Sequence, residues 1–171
     1  MLIRDILTER DIVLDVLATD KAAVLARAAI LLARTAGADQ QTIGEALVAR
    51  EQTGSTGFGS GVAIPHALVG GISAPTACLL LLGQPVAYDA IDERPVDIAL
   101  GLLWPKHDTR GFLPGLAQIA RVMRSGRTRK LLRTAPTAAA ALAYLDQKVE
   151  ASAPQDADVR LAGQDLYLQY A

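Results

Sequence analysis

Two stretches of this chain, TACLLLLG (76–83) and VDIALGLLW (96–104), are apolar almost without interruption and are bounded by proline or glycine. A strand with one face in water alternates apolar and polar side chains, so a short unbroken run reads as a strand covered on both faces. Neither run approaches the ~20 apolar residues that a membrane-spanning helix needs.

The cover for such strands is legible as amphipathic helix. Thr19-Asp20 offers an N-cap to KAAVLARAAILLARTAG, in which Val24, Leu25, Ala28, Leu31 and Leu32 recur at helical spacing and Gly37 marks the stop. Asp39 opens a second segment, QQTIGEALVAREQTG, with Ile43, Ala46 and Leu47 on one face and Gly54 as its stop; Arg50 and Glu51 fall in its last turn. After Pro105, FLPGLAQIARVMRSG, RTRKLLRTA and TAAAALAYLDQKVE read as three further helices, the first of which tolerates Pro114 only in its first turn.

IVLDVL near the N-terminus is one more strand candidate, and QPVAYDAIDERP is a polar excursion that suits a hairpin or short strand. GVAIPH reads as a short strand ended by Pro65, with His66 just beyond it, because proline cannot donate to a sheet ladder. The expectation is an α/β fold: a single-domain sandwich with a mixed β-sheet flanked by helices on both faces, occupying about residues 1–150 of the 171. From Ala151 the pattern is lost, and residues 151–171 read as an extension in which only DLYLQY is conspicuous.

Lys+Arg of 17 against Asp+Glu of 18 gives no overall charge that invites nucleic acid or an anionic membrane. Arg121, Arg124, Arg127, Arg129, Lys130 and Arg133 form a local basic cluster, read as a solvated face, helix caps or a docking patch. The first residues, MLIRDILTERD, are broken by charges and lack the apolar core of a signal peptide, so a cytoplasmic location is expected. Cys78, inside an apolar run, reads as a buried thiol.

The chemistry concentrates in REQTGSTGFGSGVAIPHA (50–67), where glycines and hydroxyls precede one of the chain's 2 histidines. A P-loop would need Lys after Gly61, and the dinucleotide spacing would need a glycine at position 62, where Val62 stands. A nucleophile elbow would read Gly-x-Ser-x-Gly, which the loop does not. Metal binding lacks three or four converging ligands, and no cofactor is implied. Asp89, Asp92, Glu93 and Asp97 are carboxylates that could pair for acid–base work or simply be solvated.

An imidazole nitrogen can attack phosphorus and pass the phosphoryl group onward, a step that asks the protein mainly for position and charge. Backbone N–H groups, hydroxyls and arginine are the usual partners of phosphoryl oxygens, so Arg50, Ser55, Thr56 and the amide of Gly57 are the candidate phosphoryl binders around His66. The alternative is a capping or surface histidine.

REQTGSTGFGSGVAIPH, followed in order by YDAIDERPVDIALGLLWP (88–105), resembles the fructose/mannitol/nitrogen-type enzyme IIA domains of the bacterial phosphotransferase system, most of all the nitrogen-regulatory branch. The likeness spans roughly Leu2 to Val149. It implies the mixed-sheet sandwich, His66 as acceptor from a phosphohistidine on an HPr-like carrier, and Arg50 and Ser55 as residues that bracket the phosphoryl group. It also implies regulatory target proteins for nitrogen, potassium or stress responses, with relay to a sugar-specific IIB component as an alternative. Nucleic acid is the weakest partner class, membrane insertion is not expected, and dimerisation is left open.

The chain departs from that pattern at one place. The family has a second histidine at the start of the helix after its second segment, where this chain has Phe112, which cannot donate a hydrogen bond. His107, on the preceding loop, is the residue that could substitute for it; if neither serves, the domain is a binding module that is no longer phosphorylated.

Overall fold

In the computed structural model, which describes residues 3–146, the two apolar runs lie side by side in the middle of a mixed sheet. After two short 3-10 turns the chain forms β1 (Ile12–Val16), α1 (Lys21–Ala36) and α2 (Gln40–Gln52), then β2 (Gly57–Gly59), β3 (Val62–Ala63) and β4 (His66–Val69). The two long strands β5 (Thr76–Val86) and β6 (Val96–Pro105) follow, and the described part closes with α3 (Phe112–Arg124), α4 (Gly126–Arg133) and α5 (Ala138–Asp146). Sheet order is β1-β5-β6-β3-β2, with β4 also paired to β6. β1 runs parallel to β5, β3 and β4 run parallel to β6, and β5 and β6 form an antiparallel hairpin. The polar excursion lengthens β5 as far as Val86 and then supplies the connecting loop.

The unbroken apolar character of the central strands follows from the layers. Cys78 and Leu80 of β5 and Ala99 and Leu103 of β6 pack against α1 and α2. The alternate residues, Leu79, Leu81, Ile98, Leu100 and Leu102, bury against α3, α4 and α5. Fully burying a leucine or isoleucine contributes roughly 1.5–3 kcal/mol, and this sheet does so on both faces. Gly101 sets the spacing on the first face, because a Cβ there would lie 2.8 Å from Cys78 Sγ and 3.1 Å from Leu32 Cδ1. Burial pushes the Cys78 thiol up to about 12, so it remains an inert apolar group.

Both helix starts follow their caps: the Asp20 carboxylate accepts from Ala23 N at 2.8 Å and the Asp39 carboxylate from Thr42 N at 2.7 Å. Gly37 ends α1 in the left-handed region, at φ 64°.

One expectation is corrected. His66 opens β4 instead of following the end of a strand. Val62 faces Ile98, Ala63 faces Ala99 and His66 faces Leu102, so the register along β6 is unbroken across Pro65. Proline removes one donor, but its carbonyl still accepts from Leu102 N at 2.9 Å, and pairing resumes at once. The segment DLYLQY lies outside the described residues.

Candidate functional site

The site is made where the end of α2 meets the start of β4. His66 is 3% exposed. Its Nδ1 lies 2.7 Å from the carbonyl of Ile64, a group that only accepts, so Nδ1 carries the ring proton. Nε2 is then the nitrogen with the lone pair, and Arg50 Nε–H, from the last turn of α2, donates to it at 3.1 Å. The same guanidinium donates to the Thr53 hydroxyl at 3.2 Å and to the Gly54 carbonyl at 3.0 Å, tying the loop after α2 to the histidine. Burial holds the His66 pKa down at about 4; the Arg50 charge adds to the depression, while the Ile64 carbonyl and Glu51 oppose it. The ring is therefore neutral and nucleophilic at pH 7.

The loop residues divide by orientation. The Ser55 hydroxyl donates to the Tyr88 carbonyl at 3.0 Å and accepts from Gly57 N at 3.1 Å, and Ser55 is exposed. Thr56 is turned inward: its N–H lies 3.1 Å from both Glu51 oxygens, and its hydroxyl donates to Glu51 at 2.5 Å. Gly57 is required by a close approach, since a Cβ there would sit 2.6 Å from Ala90 Cα. In this arrangement the Thr56 hydroxyl and the Thr56 and Gly57 amides serve the loop's own structure, while Arg50 and His66 face each other directly.

Glu51, Lys21 and Tyr88 were not singled out as site residues from sequence. The Glu51 carboxylate, 8% exposed, also meets Lys21 Nζ at 3.1 Å, and Lys21 bridges to Asp89 at 2.7 Å. Burial works against the Lys21 charge, but the bonds to Asp89 and Glu51 outweigh it and its pKa is raised. Burial raises the Tyr88 phenol as well, so it stays protonated beside Thr56. The available signal was a carboxylate in the last turn of a helix, where the dipole disfavours it.

Of the other carboxylates that could pair for acid–base work, Asp92 accepts from Ser60 N at 2.7 Å and Asp97 holds Arg133 at 2.6 Å, while Glu93 is exposed. Phe112, the first residue of α3, stands against the histidine, ring centroids 5.8 Å apart, and edge-on to Trp104 at 6.1 Å. His107 lies exposed in the turn after β6. Among the described residues no three His, Cys, Asp or Glu side chains are placed to hold a metal ion, and no helix is long and apolar enough to cross a membrane.

A mixed sheet covered on both faces, with a neutral buried histidine opening one strand under an arginine from the preceding helix, defines a IIA-type α/β domain. The family model described as "Phosphoenolpyruvate-dependent sugar phosphotransferase system, EIIA 2" matches residues 5–148, and the chain belongs to that family. A nitrogen regulatory protein of Pseudomonas aeruginosa is 44% identical over 139 residues, covering 81% of this chain and 90% of that protein. The crystal structure of nitrogen regulatory protein IIA-Ntr from Neisseria meningitidis superposes with a TM-score of 0.79 at 35% identity, over 82% of this chain and 97% of that one. The fold is shared with IIA mannitol of Escherichia coli, solved in complex with phosphorylated IIB mannitol: TM-score 0.70 at 14% identity, covering 81% of this chain and 96% of that one. The expected fold and the resemblance to the nitrogen-regulatory branch are both borne out.

Proposed function

We propose that this protein is a regulatory phosphoacceptor of a phosphotransferase system, with Nε2 of His66 as the atom that is phosphorylated. In this reading Nε2 attacks the phosphorus of a phosphohistidine on an HPr-like carrier. The new N–P bond forms as the carrier's N–P bond breaks, and the proton stays on Nδ1, donated to Ile64 O, throughout. The observation that carries the reading is the geometry around the ring: Nδ1–H is fixed on the Ile64 carbonyl and the Nε2 lone pair faces Arg50. Arg50 exchanges its bond to Nε2 for phosphoryl oxygens, and the Ser55 hydroxyl, exposed on the adjoining loop, is the second donor within the segment. Transfer of PO3− onto the neutral buried ring, with the Nδ1 proton retained, gives the site a net negative charge, a change large enough to decide which regulatory target binds. The nitrogen regulatory proteins among its relatives favour nitrogen-linked targets and a cytoplasmic site of action over sugar uptake.

A second reading has one specific observation behind it. Phe112 fills the space beside His66 with a ring that offers no hydrogen bond, as a binding module that had lost phosphorylation would allow. Intact mass after incubation with phosphoenolpyruvate, the first phosphotransferase enzyme and an HPr-like carrier separates the two. An acid-labile gain of one phosphate, absent in His66→Ala, supports the acceptor; no gain where an ordinary IIA domain is modified leaves the binding module.

A further inference from the structure

Charge is distributed unevenly in this chain. Between Phe112 and Leu145, the span of α3, α4 and most of α5, there are six basic residues and not one Asp or Glu, although the whole chain has Lys+Arg of 17 and Asp+Glu of 18. This span is therefore +6, and the rest of the chain −7.

Part of the cluster has structural work. Arg133 holds Asp97 at 2.6 Å and the Ser60 carbonyl at 2.9 Å, and Arg129 donates to the carbonyls of Met123 and Arg124 at the end of α3. Arg121, Arg127 and Lys130 are exposed and have no ion pair among the described residues. The helix dipole explains Arg121 and Lys130, which lie near helix C-termini, but not Arg127, which sits in the first turn of α4, where a cation is unfavourable. Arg121 and Arg124, and likewise Arg127 and Lys130, are three residues apart and repel each other on one helix surface. Folding gains nothing from Arg127 at that position.

The basic face is continuous with the site. The Arg124 guanidinium lies over the ring of Phe58, 5.8 Å from its centroid, and Phe58 belongs to the glycine loop that leads to His66. Arg133 reaches the turn of the same hairpin at Ser60. Phe112, beside His66, and Arg124 are the two ends of α3, about 18 Å apart along its axis. One partner covering roughly 800 Å² reaches both ends.

We propose that the phosphocarrier which serves His66 docks with an acidic protein surface across α3 and α4, led by Arg121, Arg127 and Lys130. This deepens, and rests on, the phosphoacceptor reading. Complementary charge beside the reacting groups raises the rate of encounter and excludes carriers of the wrong sign. The test uses the HPr-like carrier of the mass experiment, whether or not it phosphorylates His66, titrated unphosphorylated against the full chain and an Arg121→Glu/Arg127→Glu/Lys130→Glu variant at 50 and 500 mM salt. The expected result is binding at least tenfold weaker in the variant at low salt, with the gap closing at high salt. Equal affinities at low salt would overturn the proposal. So would binding of duplex DNA or phosphatidylserine vesicles by the unsubstituted protein that the variant loses, or self-association that the variant loses. Binding that weakens as expected, with no mass gain on His66, would leave the docking surface standing and sink the phosphoacceptor reading alone.

Discussion

Arg50 Nε lies 3.1 Å from His66 Nε2, so the guanidinium covers the lone pair that the proposed reaction needs. The resting site is thus closed by the residue that must later hold the phosphoryl group, and Arg50 has to turn for transfer to occur. Arg50→Ala uncovers the nitrogen but removes the donor; the second effect outweighs the first, because one lost donor at developing charge costs on the order of 100-fold. Phosphorylation of Arg50→Ala is expected to slow by about that factor. The His66 pKa should rise in the same variant, since the Arg50 charge helps depress it. Initial rates of mass gain and an NMR titration check the two effects separately.

The buried imidazole also makes stability depend on pH. With a folded pKa of about 4 against an ordinary 6.5, the unfolded chain takes up a proton on His66 in a window where the folded chain does not. Stability is therefore fully present above about pH 6.5, falls as pH drops toward 4, and loses nothing more from this group below that. The loss amounts to about 3 kcal/mol. Denaturant unfolding at pH 7 and pH 4.5 should show it in the natural sequence and not in His66→Gln; an equal pH dependence in both would mean that another group is responsible.

Phe112 invites a gain-of-function test. Its ring centroid is 5.8 Å from that of His66, so Phe112→His places a second imidazole next to the acceptor. Phosphorylation is expected to accelerate by roughly 10- to 100-fold, the worth of one added donor. The substitution puts a polar ring where Phe112 is 2% exposed and should lower stability by about 1–3 kcal/mol. His107→Ala, altering an exposed turn, should leave the rate within about twofold. A rate that falls in His107→Ala and does not rise in Phe112→His would show that the loop histidine already fills the missing role.

What could be read from sequence was what is decided locally. Asp20 and Asp39 cap the helices they precede, because a cap needs only its next three residues. The central strands announced themselves because both their faces are apolar. Pro65 misled for the same local reason: it breaks the ladder, but β6 alongside restores the pairing at His66 in unchanged register. The network of Glu51, Thr56, Tyr88 and Lys21 draws on segments far apart in the chain, and no spacing rule within one segment reveals it. The sequence placed Arg50 and Glu51 together in the last turn of α2 without showing that they point to different tasks, one to His66 and one to the loop.

That division of labour gives the last prediction. Glu51 is a buried carboxylate whose two oxygens take the Thr56 N–H at 3.1 Å and the Thr56 hydroxyl at 2.5 Å, with Lys21 at 3.1 Å on its far side. Glu51→Ala leaves a buried N–H without an acceptor beside a lysine that retains Asp89 and the face of Tyr88, which is expected to cost about 2–3 kcal/mol. Glu51→Gln keeps one acceptor oxygen for Thr56 and should cost about half as much. Because Thr56 adjoins Ser55, loosening this tie should also slow phosphorylation by about tenfold, since misplaced donors lose much of their value. The His66 nucleophile itself is untouched: Glu51 raises the His66 pKa, so its removal makes the ring, if anything, more firmly neutral. Denaturation midpoints and phosphorylation rates of the two variants decide the matter together. Full stability in Glu51→Ala would show that the carboxylate does not seat the loop; lost stability with an unchanged rate would show that the loop's position does not govern transfer.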